Sequence, residues 1–379
     1  MRGLGLYLHI PFCLARCGYC DFNTYLHDPE LARAYVGGLL TEIAAWGERP
    51  EVWRRAAETV YLGGGTPSLL APPAVAEILD AVRSAFPLAP GAEVTLEANP
   101  GTVDRAKLAG FRAAGVNRLS LGVQAFQERL LRVAGRDHTT EDGRRVVAEA
   151  RAAGFTNLSL DLIFALPGQT LEDWAATLDE AVGLAPEHIS AYGLTYEEGT
   201  PFHRDRRAGR LRPVGEETEG AMFDLGIARL GAAGYEHYEI SNFARPGFRA
   251  VHNQIYWRCG DYLGLGAGAH SCLRGRRFSN LRLPRDYITA VGRDGSAEAG
   301  SEELTARQRL GEAMILGLRL REGIDLEALT AGFRPWGVRP DAAALERLEQ
   351  AGLVERAGPR LRLTDRGIRL ADEVFVALV

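Results

Sequence analysis

The sequence predicts an α/β protein, a partial (βα)6 barrel followed by a C-terminal α+β domain of winged-helix type. Three observations predict this fold. Short apolar runs alternate with longer amphipathic stretches over the first two-thirds of the 379 residues. Polar or glycine-rich segments follow these runs in succession. From about residue 302 the pattern changes to helices that precede a small hairpin.

The six apolar runs are expected to form parallel strands at residues 6–10, 59–62, 94–97, 118–123, 158–164 and 189–194. Amphipathic helices are predicted between them at 30–46, 73–86, 105–114, 140–153 and 171–184. Gly115 and Gly154 stand just past two of these helices, where glycine commonly ends a helix. Alternation of this length indicates a parallel sheet with right-handed crossovers. It is compatible with either an open doubly wound sheet or a partial barrel.

The residues at the carboxyl ends of the runs favour the barrel. Residues 13–20 follow the first run and residues 63–66 follow the second. Glu97 closes the third, Gln124 the fourth, and Asp161 lies within the fifth. Barrel enzymes assemble their sites at that face, with one contribution from each strand. We therefore expect these residues to meet.

The alternation fades after about residue 199. A helix at 216–232, a strand at 235–240 and an irregular stretch up to 285 form a predicted extension of the barrel. The C-terminal part is predicted as helices at 306–318, 325–331 and 341–351, a hairpin at 353–356 and 361–363, and a last helix from 365. We divide the chain into a barrel (1–200), an extension (201–300) and a capping domain (301–379).

Composition excludes several classes of protein. The net charge is -5, and the helix at 341–351 lacks the basic residues of a DNA-recognition helix, so no nucleic-acid partner is expected. No apolar run is long enough to span a bilayer, and no signal peptide is recognised. Five cysteines, three of them within eight positions, make a poor disulfide framework. These features indicate a cytoplasmic protein.

Cys13, Cys17 and Cys20 place three thiols on one loop after the first strand. A structural zinc site would need four protein ligands, and no second pair stands at the usual spacing. Structural free thiols are the other alternative. Three thiolates suit a [4Fe–4S] cube with one iron open to an exchangeable ligand. The C-x3-C-x2-C spacing resembles the signature of the radical S-adenosylmethionine superfamily, which implies a cluster whose open iron binds S-adenosylmethionine.

The resemblance narrows to the coproporphyrinogen dehydrogenase family, the oxygen-independent coproporphyrinogen III oxidases and their relatives. It rests on residues 6–13, 63–68, 97–100, 122–126 and 161–168, with Arg136. It implies that two tyrosines lie beside the cluster and cofactor, namely Tyr7 and Tyr19. It also implies an S-adenosylmethionine pocket lined by Gly64, Gly65, Thr66, Glu97, Gln124, Arg136 and Asp161. Arg136 suits the methionyl carboxylate.

Two departures point to one branch of that family. The dehydrogenases carry a fourth cysteine two residues after the third, where this chain has Phe22. They also carry an extension ahead of the first strand, which here is expected within a few residues of Met1. Both features look like the HemW branch, whose members are regarded as heme chaperones.

A third feature supports this branch. Residues 252–257 read His-Asn-Gln-Ile-Tyr-Trp and match its H-N-x-x-Y-W motif, which implies that His252 binds heme. Imidazole is a common axial ligand of heme iron. His270 is a second candidate ligand or an ordinary hydrogen-bonding residue. Cys259 and Cys272 are interpreted as buried thiols.

Two functions follow from the resemblance. The first is a heme chaperone that passes heme to an acceptor protein. It implies an electron donor for the cluster, and peripheral contact with the acceptor where the acceptor is membrane-bound. The second is the oxidative decarboxylation of coproporphyrinogen III to protoporphyrinogen IX. The residues at positions 22 and 252 favour the chaperone.

Overall fold

A computed structural model of the chain describes residues 3–378. Its strands are β1 Leu4–Ile10, β2 Phe12–Cys13, β3 Tyr25–Leu26, β4 Ala57–Gly64, β5 Leu88–Ala98, β6 Arg118–Gln124, β7 Leu158–Phe164, β8 His188–Gly193, β9 Glu236–Glu239, β10 Asn242–Ala244, β11 Asp261–Leu265, β12 His270–Leu273, β13 Arg276–Asn280, β14 Glu298–Glu303, β15 Ile324–Asp325, β16 Val354–Ala357 and β17 Arg360–Leu363.

The helices are α1 Pro29–Gly47, α2 Pro72–Ala85, α3 Arg105–Ala114, α4 Glu128–Ala134, α5 Thr140–Ala152, α6 Leu171–Gly183, α7 Pro201–Arg207, α8 Glu216–Ala232, α9 Val251–Trp257, α10 Pro284–Asp294, α11 Ala306–Leu318, α12 Leu326–Phe333, α13 Ala342–Gln350, α14 Asp365–Arg369 and α15 Ala371–Ala377. Short 3₁₀ turns cover Pro67–Leu69, Pro100–Thr102 and Arg334–Trp336.

The predicted parallel barrel is confirmed. Strands β1, β4, β5, β6, β7 and β8 lie side by side in that order, and each neighbouring pair is parallel. Helices α1 to α6 connect or follow these strands. Leu6, Leu62, Leu96 and Leu160 along the strands are fully buried, which is typical of a parallel sheet covered on both faces. Because all six strands run the same way, their carboxyl ends form one rim.

The sheet is wider than the sequence indicates. Strand β11 adds parallel to β1, and β12, β13 and β14 continue from it as an antiparallel meander. On the far edge, β10 pairs with β8 and β9 with β10. The stretch predicted as irregular up to residue 285 thus contains strands β10 to β13 and helix α9, and α10 begins at its end. Strand β14 crosses the boundary at residue 300, which remains our proposal.

Strand β14 illustrates why the sequence does not predict the strands at this edge of the sheet. Its sequence, Glu-Ala-Gly-Ser-Glu-Glu, has neither an apolar alternation nor β-branched residues. It is a strand because it pairs along β13, with an ion pair between Glu302 and Arg277 at 3.7 Å across the two strands. Tertiary pairing overrides local propensity at such edges.

The C-terminal part has its own apolar core. Its elements follow in the order α11, β15, α12, α13, β16 and β17, and the three strands form the sheet β15–β17–β16, as in a winged helix. Leu310, Met314, Leu361, Leu363 and Val374 are buried together there. Within the described range, no helix is both long enough and apolar enough to cross a membrane.

Candidate functional site

A cavity of about 720 Å³ opens at the carboxyl ends of the parallel strands. That volume falls within the usual range of small-molecule sites. The predicted site residues that line it are Cys13, Cys17, Tyr19, Cys20, Gly64, Gly65, Thr66, Glu97, Gln124, Arg136 and Asp161. The structure thus brings together all the predicted site residues except Tyr7 and His252.

Cys13 is the last residue of β2, Cys17 and Cys20 lie on the loop that follows, and all three line the cavity. Arg136 donates a hydrogen bond from Nη1 to Cys17 Sγ at 3.3 Å, and Thr66 donates from Oγ1 to Cys13 Sγ at 3.5 Å. Burial raises the pKa of the Cys20 thiol to about 11 and also raises the pKa of Cys13. Hydrogen bonds from charged or hydroxyl donors stabilise thiolates, so these contacts suit thiols that lose their protons to a metal.

In residues 3–378, no three His, Cys, Asp or Glu side chains converge as the ligands of a single metal ion. A [4Fe–4S] cube takes each thiolate on a different iron, so its ligands need not converge on one point. Arg136 Nε is buried without a hydrogen-bond partner among the described residues. An orphaned guanidinium nitrogen beside the thiols leaves a donor for an anionic ligand group. The residues present therefore fit a cluster with an adjacent anionic ligand.

The glycine turn after β4 brings the backbone against the cysteine loop. Gly64 has φ +113°, and a Cβ there would lie 2.4 Å from the ring of His9. A Cβ on Gly65 would lie 2.7 to 2.9 Å from backbone atoms of Phe12 and Ile10. Since backbone cannot move aside as a side chain can, only glycine permits this approach. The turn thereby fixes Thr66 beside Cys13.

Glu97 is held over the barrel interior by two donors. Tyr61 donates its hydroxyl to Oε1 at 2.7 Å, and the amide of Gly64 donates to Oε2 at 3.0 Å. Burial raises the pKa of the Glu97 carboxyl to about 7, although the two hydrogen bonds oppose that shift. A carboxylate whose charge changes near neutral pH and that faces a cavity suits a cationic or hydroxyl-bearing ligand.

Asp161 and Gln124 complete the rim. Asp161 accepts hydrogen bonds from Ser120 Oγ at 2.9 and 3.1 Å and from Ser159 Oγ at 3.3 Å, and burial raises its pKa. Gln124 adopts φ +67° at the end of β6. A left-handed conformation is uncommon in residues with side chains and clusters at functional sites. The serine hydroxyls therefore fix the Asp161 carboxylate at the cavity wall, which Gln124 also lines.

Tyr7 and His252 do not line the cavity; both pack against Tyr61, which does. Tyr7 shares a hydrogen bond with His9 Nδ1 at 2.9 Å and stacks on Tyr61 with ring centroids 6.1 Å apart. His252 is 2% exposed, and its two ring nitrogens are hydrogen-bonded to Thr59 Oγ1 at 2.7 Å and Tyr256 Oη at 2.8 Å. In this arrangement neither nitrogen can bind an iron.

The His252 environment belongs to the floor of the barrel. Its ring stacks on Tyr61 at 4.9 Å, and its backbone amide donates to Glu93 Oε1 at 3.0 Å. Burial lowers the pKa of His252 to about 3, so the ring is neutral at physiological pH. A motif match indicates residue types, but it does not indicate which side of a helix a side chain faces.

The remaining cysteines and His270 lie outside the cavity. Cys259 is exposed, not buried, because it stands in the turn after α9 with φ +49°. Cys272 is half-buried in β12. His270 is exposed at the start of β12 and is not among the cavity residues. The cavity also includes Arg118 and Arg319, which sequence reasoning missed because both look like ordinary arginines in the sequence.

The fold and this site define the class. The chain is a radical S-adenosylmethionine protein. It has the partial parallel barrel of this class, with three cysteines after the first strand and a glycine turn after the second, and both contribute to one cavity. Its cofactors are a [4Fe–4S] cluster and S-adenosylmethionine, which the cavity residues fit.

Comparison with known proteins specifies the family. Residues 7–181 match the Radical SAM superfamily, and residues 304–370 match the HemN C-terminal domain. The chain is 40% identical to a protein named heme chaperone HemW from Mycobacterium tuberculosis, covering 99% of this chain and 94% of that one. It is 36% identical to the protein of that name from Bacillus subtilis, covering 98% of each. The chain therefore belongs to the HemW family.

A solved structure supports the fold over the same length. The chain superposes on the coproporphyrinogen III oxidase HemN of Escherichia coli, a radical SAM enzyme, with a TM-score of 0.84 and 25% identity. The superposition covers 99% of this chain and 90% of HemN. The predicted barrel and C-terminal domain are thereby confirmed as one known architecture.

The hydrogen bond from Arg136 predicts a redox effect. Replacing Arg136 by glutamine removes a cation and an N–H donor from Cys17 Sγ. Hydrogen bonds and charge near the sulfurs set cluster potentials. We expect the midpoint potential of the reconstituted cluster to fall by about 60 mV, a tenfold change for one electron. A redox titration followed by electron paramagnetic resonance measures it. Arg132→Gln, on the exposed face of α4, is the control, and an equal potential in both variants would contradict the assignment.

Proposed function

We propose that this chain is a heme chaperone, which binds heme and transfers it to an acceptor protein. The observation that carries the proposal is the similarity of 36 to 40% to proteins named heme chaperone HemW along almost the entire chain. The similarity to the oxidase HemN is 25%. Phe22, which is 62% exposed and lines the cavity mouth, stands where the oxidases have a further cysteine.

We propose that Cys13, Cys17 and Cys20 hold the [4Fe–4S] cluster. The glycine turn and the polar rim would then bind the methionyl and ribose groups of S-adenosylmethionine. The residues in this set are Tyr19, Gly64, Gly65, Thr66, Glu97, Gln124, Arg136 and Asp161. When bound, the two groups supply one-electron chemistry at the sulfonium. The residues of the chain orient the cofactor, and Glu97 carries a charge that depends on pH near neutrality.

We retain His252 as the proposed heme ligand, with a condition that the hydrogen bonds impose. Its Nε2 is engaged by the Tyr256 hydroxyl at 2.8 Å, so iron binding requires that bond to break and the ring to reach the ligand. The neutral ring is the form that coordinates iron. Tyr7 then acts through Tyr61 and His9, behind the cavity wall.

This condition gives a prediction. In Tyr256→Phe the competing hydroxyl is absent, so the apparent affinity for heme is expected to rise about fivefold, the equivalent of one hydrogen bond of about 1 kcal/mol. In His252→Ala the Soret absorbance is expected to fall strongly. Heme titration of the purified variants measures both. An unchanged spectrum in His252→Ala would remove this residue as ligand while leaving heme binding by the wild type in place.

The same preparation tests the alternative function. After anaerobic reconstitution, the wild type is assayed for heme binding and for turnover of coproporphyrinogen III with product detected by mass. We expect a Soret band and no decarboxylated product. Turnover without heme binding would overturn the proposal in favour of the oxidase.

We place the protein in the cytoplasm, where a reducing milieu protects exposed thiols and the cluster. The proposed partners also include an electron donor for the cluster and the proteins that accept the heme. Where such an acceptor is membrane-bound, we propose that the chain contacts the membrane peripherally. The exposed side chains of Leu14 and Phe22 beside the cysteines offer the donor an apolar contact close to the cluster.

A further inference from the structure

The cavity has a second end, away from the cysteines, where the barrel meets the C-terminal domain. Asn253 on α9, Arg319 directly after α11 and Asp372 on α15 line it there, with Ser241 and Tyr192 on the barrel side. Tyr192 is 41% exposed, so it presents an aromatic side chain to the open space. None of these residues belongs to the cofactor-binding set proposed above.

One polar group at this end of the cavity, the Nε of Arg319, lacks a partner within the described part of the chain. Arg319 Nε is buried and has no hydrogen-bond acceptor in residues 3–378. Trp257 Nε1 and Asn242 Oδ1 are also buried without a partner there, although neither residue lines the cavity. Asn253 is half-buried and lines the cavity at this end. Buried polar groups in native proteins are satisfied by protein, water or ligand. A buried guanidinium nitrogen without an acceptor, on a residue that lines a cavity, indicates an acceptor group on a ligand.

Arg319 is held in place as a receptor for an anion. Its guanidinium lies over the ring of Trp257, 4.3 Å from the centroid, and this stacking fixes its plane. One of its nitrogens, Nη2, forms an ion pair with Glu239 Oε2 at 3.6 Å. That distance exceeds a hydrogen bond. Glu239 is instead hydrogen-bonded by the amide of Ser241 at 3.1 Å and by Asn242 Nδ2. The N–H groups of Arg319 are therefore not saturated by Glu239.

Helix α9 explains why the H-N-x-x-Y-W motif has this pattern. His252 and Tyr256 are four residues apart, so they share one face and bond each other in the barrel floor. Asn253 and Trp257 share the next face, with Asn253 on the cavity and Trp257 under Arg319. The motif thus reaches the cavity through its asparagine and supports the arginine through its tryptophan.

We propose that Arg319 and Asn253 bind a carboxylate of the heme, one of its propionates, at the junction end of the cavity. This inference rests on the proposed heme-chaperone function and adds the residues that hold the ligand's acidic edge. Guanidinium is the side chain best suited to a carboxylate, and an amide N–H adds a second donor. Because Arg319 directly follows the first helix of the C-terminal domain, the bound heme touches both domains.

The test is a heme titration of the reconstituted full chain, in parallel with heme dimethyl ester, which lacks free carboxylates. In Arg319→Gln we expect heme affinity to fall about tenfold or more, as for loss of a charge-assisted hydrogen bond. The affinity for the dimethyl ester should stay within about twofold of the wild type. Asn253→Ala should show the same selectivity with a smaller loss. Arg321→Gln, two residues further on and paired with Asp365 at 2.8 Å, is the matched control.

The outcomes separate this inference from the proposed function. Equal heme affinity in the wild type and in both folded variants overturns the carboxylate site while heme binding stands. Equal losses for heme and its ester also overturn it, since the carboxylate is then not what is recognised. Loss of S-adenosylmethionine affinity with heme unaffected assigns Arg319 to the methionyl carboxylate and overturns it as well. A wild type that binds no heme overturns the proposed function itself. Should Arg319→Gln fail to fold, the half-buried Asn253 provides the decisive variant.

Discussion

Replacing Cys17 by alanine is expected to abolish the iron–sulfur cluster. Each proposed ligand serves a different iron, so no neighbouring thiol can take over its role. The substitution also deprives the half-buried Arg136 of an acceptor that it contacts at 3.3 Å. Substitution of residues that only support the ligands already lowers metal affinity by about 10 to 100-fold. Removal of a ligand itself should therefore lower the affinity for the cluster by more than about 100-fold.

Iron and acid-labile sulfide after anaerobic reconstitution measure this loss. Cys272→Ala is the matched control, because Cys272 is a half-buried thiol in β12 outside the cavity. It should retain the full iron content of the wild type. A Cys17→Ala protein with full iron and sulfide would place the cluster elsewhere and would undo the assignment of the site.

The second large effect concerns Glu97 and pH. Burial raises the pKa of its carboxyl to about 7, so the group is neutral well below pH 7 and negative above it. The proposed cofactor carries a cationic sulfonium and amino group, which favour the ionised form. Binding is thus linked to the loss of a proton. The contribution of Glu97 should be absent at pH 5, grow through pH 7 and be complete by about pH 8.

Comparison with Glu97→Gln isolates that contribution from the titration of the cofactor itself. The ratio of S-adenosylmethionine affinities, wild type over variant, is expected to be about tenfold or more at pH 8 and close to one at pH 5, since a hydrogen bond to a charged group is worth about 1.5 to 3 kcal/mol. Calorimetric titration across this range measures it. A ratio that does not change with pH would show that Glu97 has no charged contact with the ligand.

The parts of the site that the sequence predicts are those in which spacing carries the chemistry. The cysteine loop is one, since three thiols within eight positions after a strand leave few alternatives. The rim residues Glu97, Gln124 and Asp161 are others, because the ends of parallel strands must meet at one edge. The structure places all of these on one cavity.

The parts that the sequence does not predict depend on which way a side chain points. His252 is in a specific motif, yet the chain turns its ring into the floor, where Thr59 and Tyr256 hold it. Arg118 is the first residue of β6 and is 2% exposed, yet it lines the cavity from within the barrel. Arg319 lines the cavity and its guanidinium packs on Trp257, a residue 62 positions earlier in the chain. Such orientations arise from tertiary packing, which one sequence does not display.

The stack of Tyr61 on His252 has a consequence for how this family diverges. Tyr61 contacts His252 at 4.9 Å on one side and donates to Glu97 on the other, so one tyrosine serves both the cofactor rim and the motif on α9. A change at any of these positions alters the fit of the others. Across relatives, substitutions at Thr59, Tyr61, His252 and Tyr256 should therefore occur together more often than independently. Two stretches nearly 200 residues apart would then share a single evolutionary history.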